Sequence, residues 1–318
     1  MASLHERTQL YLFMLLVAST TTSLAVAQNL APPPQAKSGC QEKCGALIIS
    51  YPFGIGENCS MRPEFTIACN QSTTVSPSAS FTNGTFTFPI TITNFSLDDG
   101  ELQVMQDIAR LCYDDNGTET NSVSFLELPA PYTISTKNNF FTLGCNVLSL
   151  YQQDVDEDGQ KGFGVALCED ILGKELPESC TGFGCAQTSI SSGMQNISIG
   201  MAALNGYNAT DPWESNYKCS YAFIVEEGNF TFAPKTSFQQ LNTTTQQLPV
   251  AVNWAIGDES CEVAKNLTSY SCRDNSSCVN RSTITNGTAG YICRCLPGYE
   301  GNPYLGCQGD LLMLHARE

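Results

Sequence analysis

The chain has 318 residues, of which 14% are charged, and its 31 acidic and 15 basic residues give a formal net charge of −16. A chain this acidic lacks the basic surface that binds nucleic acid, so we expect no nucleic-acid partner. The only two histidines, His5 and His315, lie at the two ends of the chain. The intervening sequence therefore excludes a Ser-His-Asp or Cys-His catalytic group and a histidine-ligated zinc site.

Residues 1–27 are typical of a secretory signal peptide. Arg7 supplies the positive charge, residues 10–18 form the apolar run, and Ala25-Val26-Ala27 is a small-x-small cleavage site. A membrane anchor, the alternative, needs about 20 apolar residues, and no later stretch reaches that length. We therefore expect a secreted, extracellular protein, or the outer half of something larger.

Cysteine and asparagine patterns agree with export. All 16 cysteines follow residue 27, and an even number in an oxidising compartment predicts eight disulfides. Thirteen Asn-x-Ser/Thr triplets predict a heavily glycosylated surface, although the triplet at Asn58 is weakened by Cys59 in its middle position. The other predicted glycosylation sites are Asn70, Asn83, Asn94, Asn116, Asn196, Asn208, Asn229, Asn242, Asn266, Asn275, Asn280 and Asn286.

A proline-rich spacer at residues 28–39 precedes a cysteine-rich region at residues 40–250 that has the pattern of antiparallel β-structure. Residues 86–92 alternate between apolar and polar side chains, which is the period of a strand with one buried face. Residues 96–100 predict a turn that leads into a second strand at residues 102–104. The sequence therefore predicts a β-hairpin here.

The same pattern predicts two further hairpins in this region. Residues 132–143 have a turn at 137–139, and residues 221–232 have a turn at 226–229. No long segment has the helical period, so we expect an all-β, disulfide-rich fold. The sequence leaves open how the ten cysteines of this region pair; they are Cys40, Cys44, Cys59, Cys69, Cys112, Cys145, Cys168, Cys180, Cys185 and Cys219.

Residues 254–307 have a different cysteine pattern, and residues 308–318 follow as a short tail. Five residues separate the second and third of the six cysteines, one separates the fourth and fifth, and a Pro-Gly-Tyr turn follows the fifth. This pattern resembles an epidermal-growth-factor-like module. The resemblance implies the disulfides Cys261–Cys278, Cys272–Cys293 and Cys295–Cys307, which replace apolar burial in so small a module.

Several short motifs follow one another in a specific order along the chain. They are Cys40-Gln41-Glu42-Lys43-Cys44-Gly45, Tyr51-Pro52-Phe53-Gly54, Gly184-Cys185-Ala186-Gln187-Thr188, Trp254-Ala255-Ile256-Gly257 and Gly301-Asn302-Pro303-Tyr304-Leu305. In this order they resemble the extracellular region of plant wall-associated receptor kinases. The first block, residues 40–106, resembles the galacturonan-binding domain of that family.

The resemblance implies a non-enzymatic β ectodomain that binds pectin or oligogalacturonide in the plant cell wall. Such an ectodomain is either secreted or, as a truncated receptor, placed at the outer face of the plasma membrane. That family continues into a membrane span and a cytoplasmic kinase. This sequence contains no glycine-rich loop, catalytic Asp loop or metal-binding Asp motif of a kinase. We therefore expect no kinase activity from this chain.

The distribution of charge favours the first block as the binding region for an anionic polysaccharide. Residues 28–66 contain three basic and three acidic residues, whereas residues 67–260 contain 6 basic and 22 acidic residues. A polyanion is repelled least by the neutral stretch. We therefore predict that Lys37, Lys43 and Arg62 bind the carboxylates of the ligand.

The aromatic residues Tyr51 and Phe53 allow two interpretations. Their rings can stack on sugars, which makes both residues candidate ligand contacts. In the alternative, Pro52 and Gly54 shape a structural turn and Phe53 fills the core. The structural alternative is favoured for most of the individual residues.

Metal binding and other functions have weaker support. Residues 154–159 imitate the start of an EF-hand loop, but Val165 stands where the loop needs its bidentate acid. We therefore predict no metal site and no cofactor, and leave calcium open only as a bridge to pectin. An apoplastic protein–protein interaction module without sugar binding is the main alternative function. A glycosidase is a distant third because no carboxylate pair stands out.

Overall fold

The computed structural model describes residues 33–71, 77–153, 161–168, 176–205, 218–234, 236–243, 247–282 and 289–309. The predicted signal peptide, the acidic segment at 154–159, most of the tail and the sequons at Asn208 and Asn286 lie outside these residues. The described residues from Pro34 onward belong to one compact unit. None of the described helices is long and apolar enough to cross a membrane.

Strands dominate the described residues. The first eleven are β1 (Lys43–Cys44), β2 (Leu47–Ile48), β3 (Gly54–Ile55), β4 (Thr66–Asn70), β5 (Ser78–Thr82), β6 (Thr87–Ser96), β7 (Glu101–Asp107), β8 (Ala109–Tyr113), β9 (Glu119–Ser122), β10 (Ser124–Glu127) and β11 (Thr133–Ile134). The others are β12 (Asn138–Leu143), β13 (Val147–Gln152), β14 (Lys161–Ala166), β15 (Cys185–Ser189), β16 (Asn196–Ala203), β17 (Cys219–Glu226), β18 (Gln247–Asn253), β19 (Ser276–Ser282), β20 (Ala289–Cys295), β21 (Tyr299–Asn302) and β22 (Gly306–Gly309). The helices described are a 3₁₀ turn (Pro63–Phe65), α1 (Ser237–Thr243) and α2 (Cys261–Ala264). The fold is all-β, as the sequence predicts.

These strands form three large sheets and three two-stranded ribbons. Sheet 1 has the strand order β11-β18-β7-β6-β5-β4-β3, sheet 2 the order β15-β12-β17-β8-β9, and sheet 3 the order β10-β16-β13-β14. The ribbons are β1-β2, β19-β20 and β21-β22. Within the described residues β3 and β4 pair in parallel, and the other named pairs are antiparallel.

The first predicted hairpin is present as β6 and β7. Ile92 lies opposite Val104 in this pair, and both side chains are buried. The turn ends at Gly100, whose φ of 62° is a left-handed conformation that favours glycine. A Cβ at this position would also lie 2.9 Å from side-chain atoms of Arg281 and Ile292. The turn therefore needs glycine both for its shape and for its close contact with the C-terminal residues.

The other two predicted hairpins are wrong, because their strands find partners elsewhere. β11 pairs with β18 in sheet 1, whereas β12 pairs with β15 and β17 in sheet 2. The turn at 226–229 is present, since Asn229 N donates to Glu226 O at 3.1 Å. Residues 230–232 do not continue as a strand, and the ring of Phe230 packs 5.0 Å from that of Phe223.

Among the described residues, two clusters of buried apolar side chains hold the sheets together. The larger runs through all three sheets and reaches Tyr291 and Tyr304 near the C-terminus. The smaller joins one face of sheet 2 to α1 through Phe223, Phe238 and Leu241. Strand β17 is buried on both faces for this reason, and an apolar run without alternation is the expected sequence of such a strand.

All cysteines are bridged in eight disulfides. Those of residues 40–250 are Cys40–Cys59, Cys44–Cys69, Cys112–Cys219, Cys145–Cys168 and Cys180–Cys185. Those of the C-terminal module, residues 254–307, are Cys261–Cys278, Cys272–Cys293 and Cys295–Cys307. The C-terminal pairing is the one that the epidermal-growth-factor-like resemblance implies.

An aromatic cluster joins the C-terminal module to the preceding region. Trp254 is 0% exposed, and its ring centroid lies 5.1 Å from Phe53 and 5.8 Å from Phe65. On the side of the module, Tyr304 lies 6.1 Å from the same indole. Side chains from both parts therefore share one core, and aromatic pairs at these distances add to the energy of area burial.

Polar contacts reinforce the same junction. The Nδ2 of Asn302 donates to the carbonyl oxygens of Gln35 at 3.0 Å and Tyr51 at 2.7 Å. The guanidinium of Arg281 donates to the carbonyl of Gly100 at 3.2 Å. Asn302 is 1% exposed, so its donors satisfy backbone acceptors that the junction removes from water.

Candidate functional site

A cleft of about 610 Å³ opens between the β1-β2 ribbon and strands β5 and β6. Its lining residues are Gln35, Cys44, Ala46, Leu47, Ile48, Ser50, Pro77, Ser78, Ala79, Thr91, Ile92, Thr93, Asn94 and Phe95. None of them is charged, and all but Gln35 lie within residues 40–106. The cleft thus combines hydroxyl and amide groups with apolar side chains, and its volume is that of a small-molecule site.

An irregularity in strand β6 shapes one wall of the cleft. Five consecutive residues from Thr91 to Phe95 line the cleft, although the side chain of Ile92 is itself buried in the core. The pairing of β6 with β7 shifts register between Ile92 and Asn94, and such a bulge bends the strand and redirects its side chains. On the facing side, Ser50 Oγ donates to Gln35 Oε1 at 3.4 Å.

Lys43 is the predicted cation that the strand register places beside this cleft. It lies directly opposite Ile48 in the β1-β2 ribbon, so the two side chains project from the same face. Ile48 lines the cleft and is 48% exposed, and Lys43 is also exposed. The disulfide between Cys44 and Cys69 ties this ribbon to sheet 1.

The other two predicted cations have partners of their own. Lys37 Nζ donates to the carbonyl of Asn58 at 2.8 Å. Arg62 Nη1 lies 3.8 Å from Glu64 Oε1, and about a third of each side chain is exposed. The charge of Arg62 is therefore partly compensated, and within the described residues no contact joins Lys37, Lys43 and Arg62 into one cluster.

Phe53 is not available to a ligand. It is 1% exposed, and its ring packs 5.4 Å from Phe65 and 4.6 Å from Phe95. The sugar-stacking prediction is wrong for this residue because the junction with Trp254 encloses the ring. Phe95 lines the cleft on one side and contacts Phe53 on the other, so Phe53 supports the cleft wall from behind.

Tyr51 is half-buried at the edge of the same junction. Burial raises the pKa of its phenol, and the nearby cation Arg273 partly offsets that increase, so the phenol stays neutral at physiological pH. Arg273 is exposed, and its backbone N–H donates to Pro303 O at 2.9 Å. Sequence analysis did not select Arg273, because only the docking of the C-terminal module brings it close to Tyr51.

The predicted glycosylation sites within the described residues occupy two kinds of environment. Asn196 is half-buried in β16, and the others are exposed. Asn94 is exposed and lines the cleft. In the described part of the chain, no group of three or more His, Cys, Asp or Glu side chains is arranged to hold a metal ion.

Comparison with known proteins identifies the region that contains the cleft. Residues 40–106 match the family described as wall-associated receptor kinase galacturonan-binding. Wall-associated receptor kinase 1 of Arabidopsis thaliana is 31% identical over 293 residues, which cover 90% of this chain and 36% of that protein. Wall-associated receptor kinase 5 of the same plant is 32% identical over 281 residues, which cover 86% of this chain and 35% of that protein.

The chain thus spans little more than a third of the length of these relatives. No solved structure matches it. The described residues have the all-β, disulfide-rich fold that the sequence predicts, and all residues that line the cleft except Gln35 lie inside the matched block. Residues 40–106 of the chain are therefore similar to the wall-associated receptor kinase galacturonan-binding family, and most of the chain is similar to about a third of the wall-associated receptor kinases.

Proposed function

We propose that this chain binds galacturonan, the acidic backbone of pectin, as the ectodomain of a cell-wall receptor or as a secreted form of one. The observation that carries the proposal is the uncharged cleft within the residues that match the galacturonan-binding family. Residues 67–260 carry 22 acidic against 6 basic residues. A cleft lining without carboxylates offers a polyanion a place of low repulsion on this acidic protein.

Each part of the ligand has a matching group at the cleft. Sugar hydroxyls bind the side chains of Ser50 and Thr91, and the C–H faces of the rings lie against Ile48. Lys43 at the rim binds a carboxylate. Charge-assisted hydrogen bonds of this kind are about twice as strong as neutral ones, so Lys43 favours a de-esterified over a methyl-esterified chain.

Lys37, Arg62 and Tyr51 stay in the proposal as contacts of a longer chain that extends beyond the cleft. We expect Arg62 to contribute least, since Glu64 already compensates its charge. Calcium enters only as a bridge between ligand and protein carboxylates, and binding with and without calcium tests that role.

A protein-interaction module is the second candidate, and its support is weaker. The C-terminal module exposes four apolar side chains, each between 38% and 47% exposed: Val263, Leu267, Leu296 and Tyr299. Singly exposed apolar residues are normal on protein surfaces.

Replacing Ile48 by glutamate is expected to weaken binding of de-esterified oligogalacturonide by about tenfold or more, because a carboxylate in the cleft repels those of the ligand. Val263→Glu is the matched control, since Val263 is 47% exposed against 48% for Ile48 and the change in charge is identical. Isothermal titration calorimetry in calcium-free buffer measures both. An equal loss in the two variants would show that overall charge, and not the cleft, governs binding.

The sequon at Asn94 gives a second test of the same cleft. A glycan on this exposed lining residue competes with the ligand for space, so Asn94→Gln is expected to raise the affinity of protein from a glycosylating host. Asn116→Gln is the control, because Asn116 lies in the exposed turn between β8 and β9. Mass spectrometry establishes occupancy in the parent. If removal of a glycan observed at Asn94 left the affinity unchanged, the ligand would not use this cleft.

A further inference from the structure

The outer face of sheet 3 exposes an unusual set of apolar side chains. Phe125 is 69% exposed and Phe163 is 64% exposed, the highest values among the large hydrophobic residues described. Leu150, at 40% exposed, lies directly opposite Phe163 in the pair of β13 and β14. An exposed apolar face of this kind is typical of a surface that another group covers or binds.

A shallow trough runs along β16 through this face. Gly200 lies opposite Leu150, and Ser198 lies opposite Phe125. A Cβ built on Gly200 would meet no described atom within 4 Å. The small residues of β16 are thus bordered on one side by Phe125 and on the other by Leu150, with Phe163 beyond it.

Asn196 stands at one end of this trough. Alternation along β16 puts Asn196, Ser198 and Gly200 on the same outward face, since Ile197 and Ile199 between them are buried. Successive residues on one face of a strand lie about 6.6 Å apart. The side chain of Asn196 is therefore the neighbour of Ser198 on this face, at the start of the trough. Asn196-Ile197-Ser198 is also an N-glycosylation sequon.

The side chain of Asn196 is half-buried at the end of the trough. Its Oδ1 is buried and has no hydrogen-bond partner in the described structure, and a buried acceptor without a donor is costly. Among the described residues, the charged ones in the rows of Asn196 and Ser198 are Glu127 and Lys161, one of each sign. The described part of this face carries no excess of either charge and suits a neutral amphipathic ligand.

We propose that an N-linked glycan on Asn196 packs along this trough as part of the fold. The first N-acetylglucosamine lies over Ser198, and its C–H face and acetyl methyl group cover Phe125. The next sugar extends over Gly200 towards Leu150. This glycan is distinct from the galacturonan cleft, which lies against sheet 1.

Ser198 allows a test that leaves Asn196 in place. Ser198→Thr keeps the sequon and Ser198→Ala destroys it. Both are made in the full chain, secreted from a plant host, with occupancy read by mass spectrometry of the peptide that contains Asn196. We expect the unmodified Ser198→Ala protein to melt roughly 2–4 °C lower and to bind more of the dye 8-anilinonaphthalene-1-sulfonate. Asn116→Gln, which removes an exposed sequon elsewhere, is expected to change neither.

A second background separates the glycan from the intrinsic difference between Thr and Ala. With Phe125→Thr the aromatic contact is lost, so the gap in melting temperature between the two Ser198 variants is expected to shrink. An unmodified Asn196 in the secreted parent overturns the proposal. Equal melting temperatures of the two Ser198 variants, or an undiminished gap in the Phe125→Thr background, also overturn it and leave the face to an external partner.

Discussion

Replacing Trp254 by alanine is expected to lower the free energy of unfolding by about 3–5 kcal/mol. The indole is 0% exposed and contacts Phe53 and Phe65 from the first region and Tyr304 from the C-terminal module. The cavity left by alanine therefore weakens both parts at once, and we expect the C-terminal module to unfold at lower denaturant concentration than the sheets. Urea unfolding followed by far-ultraviolet circular dichroism measures the loss in free energy of unfolding.

Trp254→Phe is the control for this substitution. The indole Nε1 is buried without a hydrogen-bond partner in the described structure, so phenylalanine removes an unsatisfied donor while it keeps aromatic packing. We expect this variant to lose much less stability than Trp254→Ala. A Trp254→Ala protein within about 1 kcal/mol of the parent would contradict the shared core, since typical large-to-small core changes cost more.

Removing the disulfide between Cys112 and Cys219 is expected to cost about 4–5 kcal/mol, because its loss frees a long loop in the unfolded chain. The two cysteines are 107 residues apart and lie opposite each other where β8 pairs with β17. Paired Cys→Ala substitutions, with stability measured by chemical denaturation, give the loss directly.

The short bridge between Cys180 and Cys185 is the matched control. Its sequence separation is 5 residues, so the same entropy argument predicts a loss of about 2 kcal/mol. The two double variants remove the same atoms, so the difference between their losses in free energy of unfolding measures the effect of loop length. Equal losses would show that local packing of the sulfurs, and not chain entropy, accounts for what the bridges contribute.

The fold class and the β6-β7 hairpin could be predicted because their signals are local. The alternation of residues 86–92 and the turn before Gly100 lie within one short stretch of sequence. The segments that form β11 and β12 have an equally good local hairpin pattern, but the two strands lie in different sheets. The partner of β11 is β18, which begins at Gln247, and local periodicity contains no information about so distant a strand.

The candidate site was predictable as a region and not as a set of side chains. Charge counting selects the neutral stretch around Lys43, and the cleft lies there. Composition cannot distinguish the buried Phe53 from the exposed Ile48, since both are apolar residues beside turns. Burial depends on what packs above a residue, and Trp254 covers Phe53 from 201 positions further along the sequence.

By itself the sequence determined the all-β class, the disulfide-rich character and the family resemblance, because spacing, periodicity and composition are properties of the chain alone. Only the tertiary structure decided that the C-terminal module shares a core with the first region and brings Arg273 close to Tyr51. It also decided that Phe125 and Phe163 stay exposed on one face of sheet 3. The physical reason is that exposure and proximity are set by strand pairing and sheet packing between segments far apart in sequence.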